Sequence, residues 1–139
     1  EKGSDFVFFN VESPEEILAK ILELIEHHIP EHFPFNPIDD IQVLSPMKRG
    51  IIGTDNLNHV LQAKLNPQTL HLIRMGRSFN FNDKVMQIRN NYDKKVYNGD
   101  VGRIVTIDLE NQELVVNFDG RAVPYDFCDV DELMLAYAV

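Results

Sequence analysis

A chain of 139 residues that is 44% apolar has enough material for about one ordinary domain. No apolar run in it approaches the roughly 18 residues of a membrane-spanning helix. Its single cysteine, Cys128, excludes an internal disulfide bond and is typical of a reducing, cytoplasmic environment; we expect it to be a small barrel or core residue and not a nucleophile.

The net charge of −9 is distributed unevenly along the chain. Residues 1–40 carry a net charge of −8, residues 41–104 carry +6 and residues 105–139 carry −7. A basic middle between acidic ends is what a polyanion-binding surface on an acidic body would produce. Lysines scattered over a solvated face would give the same count, so charge leaves both interpretations open.

The first thirty residues predict a strand and then a helix. Phe6–Val11 is apolar on both faces, which is typical of a strand buried in a parallel sheet. Ser13 predicts an N-cap, with Pro14 in the first turn and Glu16 closing a capping box. Pro30 is expected to end the helix.

Three histidines near this helix end, His27, His28 and His32, invite a metal-binding interpretation. Pro30 is expected to break the i, i+4 register between His28 and His32, and no cysteine is near. The sequence therefore predicts no metal site here.

Ile41–Leu44 predicts a second buried strand, which completes a strand–helix–strand unit with parallel pairing. Ligands gather at the carboxyl ends of such strands. The next residues include Lys48 and Arg49, and a second helix follows, with Thr54 as the predicted N-cap and Asn66-Pro67 as its end.

The loop before this second helix is the first candidate site. The charges of Lys48 and Arg49, the helix dipole and the amides of Asp55–Leu57 could all face one anion. The alternative is a glycine-containing turn whose basic side chains are solvated. The pattern GxxxxGK[ST] is absent from the chain, so the loop is not a P-loop.

Gln68–Arg77 predicts an irregular, extended connector. Beyond it, four short strands with tight turns indicate a small barrel or rolled sheet. Their predicted bounds are Lys84–Ile88, Arg103–Ile107, Leu114–Phe118 and Ala122–Tyr125. Gly99 and Gly102 are expected to serve the turn before the second of these strands.

The loop after the first barrel strand is the second candidate site. Tyr92 lies there among Arg89, Lys94 and Lys95. An aromatic ring among basic residues is typical of single-stranded nucleic-acid binding. The alternative is that Tyr92 caps the barrel core and that the lysines are solvated.

Asp129–Val139 predicts a return to an apolar strand. Because Val139 follows an apolar run without a polar or capping residue, we expect the chain to be a piece of a longer protein.

Three blocks in this order resemble the C-terminal part of the RecD-like superfamily-1 DNA helicases, a family that includes the alpha chain of exodeoxyribonuclease V. They are Ile41–Pro67 (IQVLSPMKRGIIGTDNLNHVLQAKLNP), Asp83–Ile104 (DKVMQIRNNYDKKVYNGDVGRI) and Val116–Ala138 (VNFDGRAVPYDFCDVDELMLAYA). The resemblance implies an α/β plus β fold. Residues 1–78 and a return strand at 129–139 would belong to a second RecA-like (P-loop NTPase-type) motor domain, interrupted by an SH3-like β-barrel at 79–128.

The resemblance also implies function. In such helicases two RecA-like domains bind ATP and Mg²⁺ between them and step along single-stranded DNA in the 5′ to 3′ direction, in DNA recombination and repair. The implied partners are single-stranded DNA, the first RecA-like domain and other exodeoxyribonuclease V subunits. The P-loop and the acidic Mg²⁺-binding motif are absent here, so the chain alone is expected to be inactive, with no catalytic residue. A passive nucleic-acid-binding module and a protein-interaction module are the alternatives.

The resemblance assigns two sets of residues. The DNA or interdomain surface would comprise Ser45, Lys48, Arg49, Gly50, Gly53, Thr54 and Asn56. The barrel loop would contribute Tyr92, Lys94, Lys95, Asn98 and Asp100. Whether this second set guides DNA or contacts the first motor domain stays open.

Overall fold

The computed structural model describes residues 5–139, in which a helical region is followed by an antiparallel sheet. The helices are α1 (Pro14–Glu23), α2 (Ile29–His32) and α3 (Thr54–Leu65). The strands are β1 (His71–Arg74), β2 (Arg77–Asn80), β3 (Lys84–Gln87), β4 (Val101–Asp108), β5 (Glu113–Phe118), β6 (Arg121–Tyr125) and β7 (Leu133–Leu135). β1 and β2 form a hairpin, and the other five strands form one sheet in the order β6-β5-β4-β3-β7.

The strand predicted at Phe6–Val11 is wrong. This segment belongs to neither described sheet, and its apolar side chains are largely exposed, with Phe6 at 77% and Phe8 at 75%. Apolar residues on both faces indicate a buried strand only where other elements cover both faces. In the described part of the chain no strand pairs with this segment, and Lys20 of α1 lies over the Phe9 ring at 4.3 Å.

The predicted start of α1 and the end of α3 agree with the structure. Ser13 caps α1, and its Oγ accepts a hydrogen bond from the Glu16 amide at 3.2 Å. α3 ends at Asn66 as expected. Its N-cap is Gly53 and not Thr54, which is already the first helical residue.

The predicted helix end at Pro30 is wrong, because the helix continues to His32 through a π-helical turn at Leu24–His28. Proline lacks an N–H group and its ring crowds the preceding turn. The wider π turn, closed by a hydrogen bond from the Ile29 amide to the Leu24 carbonyl, accommodates both demands.

The strand predicted at Ile41–Leu44 is reduced to a single parallel bridge between Val43 and Ala138. The parallel direction agrees with the prediction, but the partner is residues 137–139 and not the segment before α1. Leu44 is 76% exposed, so the expected burial is not found.

The connector predicted at Gln68–Arg77 is instead half of the β1–β2 hairpin. Arg74 lies opposite Arg77, which leaves the two-residue loop Met75-Gly76. Both loop residues have positive φ, 50° and 78°, as a type I′ turn requires. Met-Gly is a weaker signal for this turn than Asn-Gly or Asp-Gly, and the prediction missed it.

The four predicted barrel strands are present as β3 to β6, with small shifts at their ends. Gly99 serves the predicted turn, with a φ of 100°. Gly102 does not, because it lies inside β4, where a Cβ would come within 2.6 Å of the Asn117 carbonyl oxygen of β5. The irregularity in this strand pair falls between Ile104 and Thr106.

The segment predicted as one apolar return strand is divided into three parts. Asp129–Glu132 is a 3₁₀ turn, β7 pairs antiparallel with β3, and residues 137–139 lie beside Val43. The segment therefore contacts both the sheet and the helical region. Cys128, just before it, is exposed, so the expectation that it is a core residue is wrong.

Two apolar cores result. The first, called the sheet core, contains fully buried side chains of β3 to β7, including Val85, Ile104, Leu114, Val116 and Tyr125. The helical core has five buried residues, Ile25, Leu57, Leu61, Tyr137 and Ala138, surrounded by partly buried side chains of α1 and α3.

Candidate functional site

The loop between Val43 and α3, residues 45–53, carries most of the first predicted site set. The Ser45 hydroxyl donates a hydrogen bond to the Ile52 carbonyl at 2.7 Å, which closes the loop on itself. Lys48, Arg49 and Gly50 are exposed. Neither basic side chain forms an ion pair with a carboxylate of residues 5–139, so both carry charge that the described protein does not neutralise.

The amides at the start of α3 are bonded within the protein. The Thr54 amide donates to the Met47 carbonyl at 2.9 Å and the Asp55 amide to the Lys48 carbonyl at 3.1 Å. The Leu57 amide is likewise bonded within the chain. The expectation that the amides of residues 55–57 jointly face an anion is therefore wrong; the loop offers side-chain charge instead.

Gly53 makes this loop closure possible. A Cβ at this position would lie 2.4 Å from the Arg49 carbonyl oxygen and 2.5 Å from that of Lys48. Asn56 supports the same turn, because its side-chain amide donates to the Ile51 carbonyl at 2.8 Å. Both predicted site residues thus shape the loop that presents the two cations.

Lys48 lines a cleft of about 410 Å³ between this loop and the β1–β2 hairpin. The other lining residues include Asp55 on α3, Arg77 and Ser78 on β2, and Met134 on β7. The volume lies within the roughly 300–1,000 Å³ of ligand-binding clefts. The sequence did not indicate this cleft, because its second wall is the hairpin that was predicted as an irregular connector.

Tyr92 is the exposed feature of the second predicted set. Its side chain is 72% exposed and meets Tyr97 edge-on, with ring centroids 5.7 Å apart. Tyr92 therefore does not cap the sheet core, which was the alternative interpretation. An exposed pair of tyrosine rings can stack against the bases of a single strand.

Lys94 and Lys95 differ in their surroundings. Lys94 forms an ion pair with Asp129 at 3.1 Å and donates to the Pro124 carbonyl at 2.8 Å, so its charge is used within the sheet. Lys95 is exposed. The Arg121 guanidinium donates to the carbonyl groups of both lysines and fixes the loop backbone.

Asn98 and Asp100 shape the end of this loop. The Asn98 amide donates to the Asn90 side-chain oxygen at 3.0 Å, and the Asp100 carboxylate accepts from the Tyr97 amide at 2.9 Å. These contacts hold the backbone that carries one ring of the tyrosine pair.

A buried polar network anchors the start of the loop to the sheet. The Tyr125 hydroxyl donates to Gln87 at 2.6 Å, and Gln87 donates to the Glu132 carboxylate at 2.7 Å. Glu132 also accepts from Asn91 at 3.1 Å. Burial raises the pKa of Tyr125, and the Glu132 charge raises it further, so the hydroxyl stays a donor.

A second buried network, centred on Asp83, joins the helical region to the sheet. Its carboxylate accepts hydrogen bonds from Gln62 at 2.7 Å, Asn66 at 2.8 Å, the Asn80 amide at 2.6 Å and the Tyr137 hydroxyl at 2.6 Å. Burial raises the pKa of Asp83, and these four donors partly oppose it. This network could not be predicted from local sequence, because its members come from three separate segments, residues 62–66, residues 80–83 and Tyr137.

The predicted break between His28 and His32 is not found. Their rings lie 4.5 Å apart, and His32 Nδ1 is 2.8 Å from the His28 carbonyl oxygen. Within residues 5–139 no group of three His, Cys, Asp or Glu side chains is placed to hold a metal ion. No helix in the same range is long and apolar enough to cross a membrane.

One protein family matches the part of the chain that contains the second candidate loop. Residues 57–118 match the family described as the ATP-dependent RecD-like DNA helicase SH3 domain. The predicted resemblance to RecD-like helicases is confirmed.

A curated relative is the ATP-dependent RecD2 DNA helicase of Deinococcus radiodurans, 34% identical over 99 residues. The match covers 71% of this chain but 14% of that helicase. Among solved structures, unliganded Pif1 from a Bacteroides species aligns with a TM-score of 0.53 and 15% identity, over 96% of this chain and 41% of that one. This second likeness concerns the fold alone.

Proposed function

We propose that this chain is a part of an ATP-dependent 5′ to 3′ DNA helicase of the RecD or exodeoxyribonuclease V alpha type, acting in DNA recombination and repair in the cytoplasm. The observation that carries the proposal is the 34% identity to a RecD2 helicase over most of the chain. The match to the SH3 domain family of RecD-like helicases supports it independently.

In this proposal residues 1–78 and 129–139 belong to the second RecA-like domain, and residues 79–128 form the inserted barrel. The parallel bridge between Val43 and Ala138, which joins the two outer segments, supports that division. The parent protein would bind ATP and Mg²⁺ elsewhere in its sequence. The partners would be single-stranded DNA, the first RecA-like domain and, in a nuclease complex, other exodeoxyribonuclease V subunits.

The chain would contribute contacts to single-stranded DNA and one side of the motor. Lys48 and Arg49 would attract phosphate, since both are exposed and without an ion pair in the described chain. Ser45, Gly53 and Asn56 would keep the loop in shape, as their contacts suggest. Further members would be Gly50, Thr54 and, on the barrel loop, Tyr92, Lys94, Lys95, Asn98 and Asp100.

ATP hydrolysis by the full-length protein tests the proposal. We expect strong stimulation by single-stranded DNA, a loss of that stimulation in Lys48→Ala/Arg49→Ala, and no hydrolysis by the 139-residue chain alone. Lys64→Ala, which removes an exposed charge from α3, is the control and should behave as wild type. A folded full-length protein that hydrolyses no ATP would contradict the helicase assignment.

A passive single-strand-binding module is the second candidate, and the exposed Tyr92–Tyr97 pair favours it. Such a module would bind single-stranded DNA through the barrel loop without any ATPase in the parent protein. Tyr92→Ala should then abolish binding, whereas the helicase proposal expects the Lys48 loop to contribute as well.

A further inference from the structure

We infer that Arg77, on the β1–β2 hairpin, is a second phosphate-binding cation that holds single-stranded DNA together with Lys48 across the 410 Å³ cleft. This inference rests on the proposed function and adds to it a wall of the site that neither the sequence nor the family match assigns. Its first support is position, because both cations line the same cleft from different elements.

The hairpin carries two arginines, and the structure separates their roles. Arg74 makes two hydrogen bonds of 3.0 Å to the Asp131 carboxylate and lies over the Phe127 ring at 4.4 Å. Its charge is therefore neutralised within the protein. Arg77 forms no ion pair with a carboxylate of the described residues.

Arg77 is nevertheless held in place. Its Nη1 donates to the Leu133 carbonyl at 3.1 Å, which leaves the other N–H groups of the guanidinium for a ligand. A planar guanidinium fixed at one nitrogen suits the paired oxygens of a phosphodiester. The type I′ turn at Met75-Gly76 sets the strand pair that carries Arg77 to this wall.

Charge in the cleft favours a single backbone phosphate. The charged lining residues are Lys48, Arg77 and Asp55, so two cations face one carboxylate. Ile88, which also lines the cleft, immediately precedes the loop that carries Tyr92.

The test is binding of fluorescein-labelled oligothymidylate to the 139-residue chain, followed by anisotropy over a salt series. Each lost phosphate contact should reduce the slope of log K against log salt by about 0.7, which corresponds to about eightfold weaker binding near 50 mM salt. We expect this change for Arg77→Gln and for Lys48→Gln, and about twice the slope change for the double variant. Asp55→Asn should tighten binding.

Two controls remove one positive charge each without touching the proposed contact. Arg74→Gln removes a paired arginine of the same hairpin, and Lys64→Gln removes an exposed lysine outside the cleft. Both should keep the wild-type slope. Circular dichroism and urea unfolding establish whether each variant is folded. If Arg77→Gln does not fold, the change in affinity of Asp55→Asn still tests whether the cleft binds DNA.

The outcomes separate the inference from the proposed function. An unchanged slope in Arg77→Gln beside a reduced slope in Lys48→Gln would overturn the role of Arg77 and leave the DNA contact of the loop intact. If Arg77→Gln and Lys64→Gln reduce the slope equally, net charge alone explains the effect, and the inference is overturned. No measurable binding by the wild-type chain would contradict the proposed DNA contact itself.

Discussion

The helical region and the sheet satisfy their apolar residues to different degrees. The sheet core also takes in Leu72 and Phe79 of the β1–β2 hairpin, and Ile104, Val116 and Leu133 are all 0% exposed. In the helical region, by contrast, α1 contains no buried residue, and Phe33 and Phe35 are about half exposed. Burial of apolar area is the main favourable term in folding. The sheet should therefore contribute more to the stability of the described chain than α1 does.

Truncation of one leucine in each region should give the largest difference in the free energy of unfolding. Leu114→Ala in the sheet core should lower the free energy of unfolding by about 4 kcal/mol, because it leaves a cavity in a closed core. Leu18→Ala in α1 should cost about 1 kcal/mol, because that side chain is only partly buried. Urea unfolding measures both, and equal losses would contradict the contrast between the two regions.

Removal of the charge at Asp83 should affect both regions together. Asp83→Asn should cost about 3 kcal/mol, because the amide cannot accept all four buried hydrogen bonds. Tyr137→Phe, which removes one donor, is the milder control and should cost about 1 kcal/mol. Helix and sheet signals should shift together in urea; a shift confined to the helices would show that the network does not join the two regions.

The stability difference between wild type and Asp83→Asn should depend on pH. Because burial raises the pKa of Asp83 in the folded chain, folding takes up a proton at this site. Its contribution to stability is present below the ordinary pKa of 3.8 and is lost as the pH rises through the folded-state pKa. The stability gap between wild type and Asp83→Asn should therefore be widest at low pH, and a constant gap would contradict this.

Gly102 in the sheet and Gly53 in the loop before α3 have similarly close backbone neighbours. Gly102→Ala places a Cβ 2.6 Å from the Asn117 carbonyl oxygen inside the sheet, which cannot move freely, and should cost about 2 kcal/mol. Gly53→Ala places a Cβ 2.4 Å from the Arg49 carbonyl oxygen and 2.5 Å from that of Lys48, so the loop backbone must move. It should weaken DNA binding as well as lower stability, because this loop presents Lys48 and Arg49, whereas Gly102→Ala should leave DNA binding unchanged. Urea unfolding and anisotropy measure the two effects, and equal DNA affinity of the two variants would contradict the role of the loop.

The sequence was most informative where the signal is local. β3 to β6 follow from apolar alternation and turn residues, and α1 begins at Ser13 because its side chain caps the following amides. Local signals failed where distant partners decide the outcome. Phe6–Val11 has the composition of a buried strand but pairs with no strand of the described residues, and Pro30 is accommodated by a π turn.

The sequence predicts individual residues for the candidate site but not the surface on which they lie. The structure exposes the side chains of Lys48, Arg49 and Tyr92, as contacts with a nucleic acid would require. The pairing of Lys94 with Asp129 could not be foreseen, because it joins positions far apart in the chain. Arg77 was not predicted as a site residue for the same reason, because its wall of the cleft exists only when the β1–β2 hairpin forms.

The contacts of residues 136–139 also set the order in which the chain can fold. Tyr137 completes the Asp83 network, and the Asn58 side chain exchanges two hydrogen bonds with Ala138, at 2.9 and 2.8 Å. These partners are separated by 54 and 80 residues. Contacts of such long range form slowly. The hydrogen bonds between Ala138 and α3 can therefore form only after Ala138 has left the ribosome.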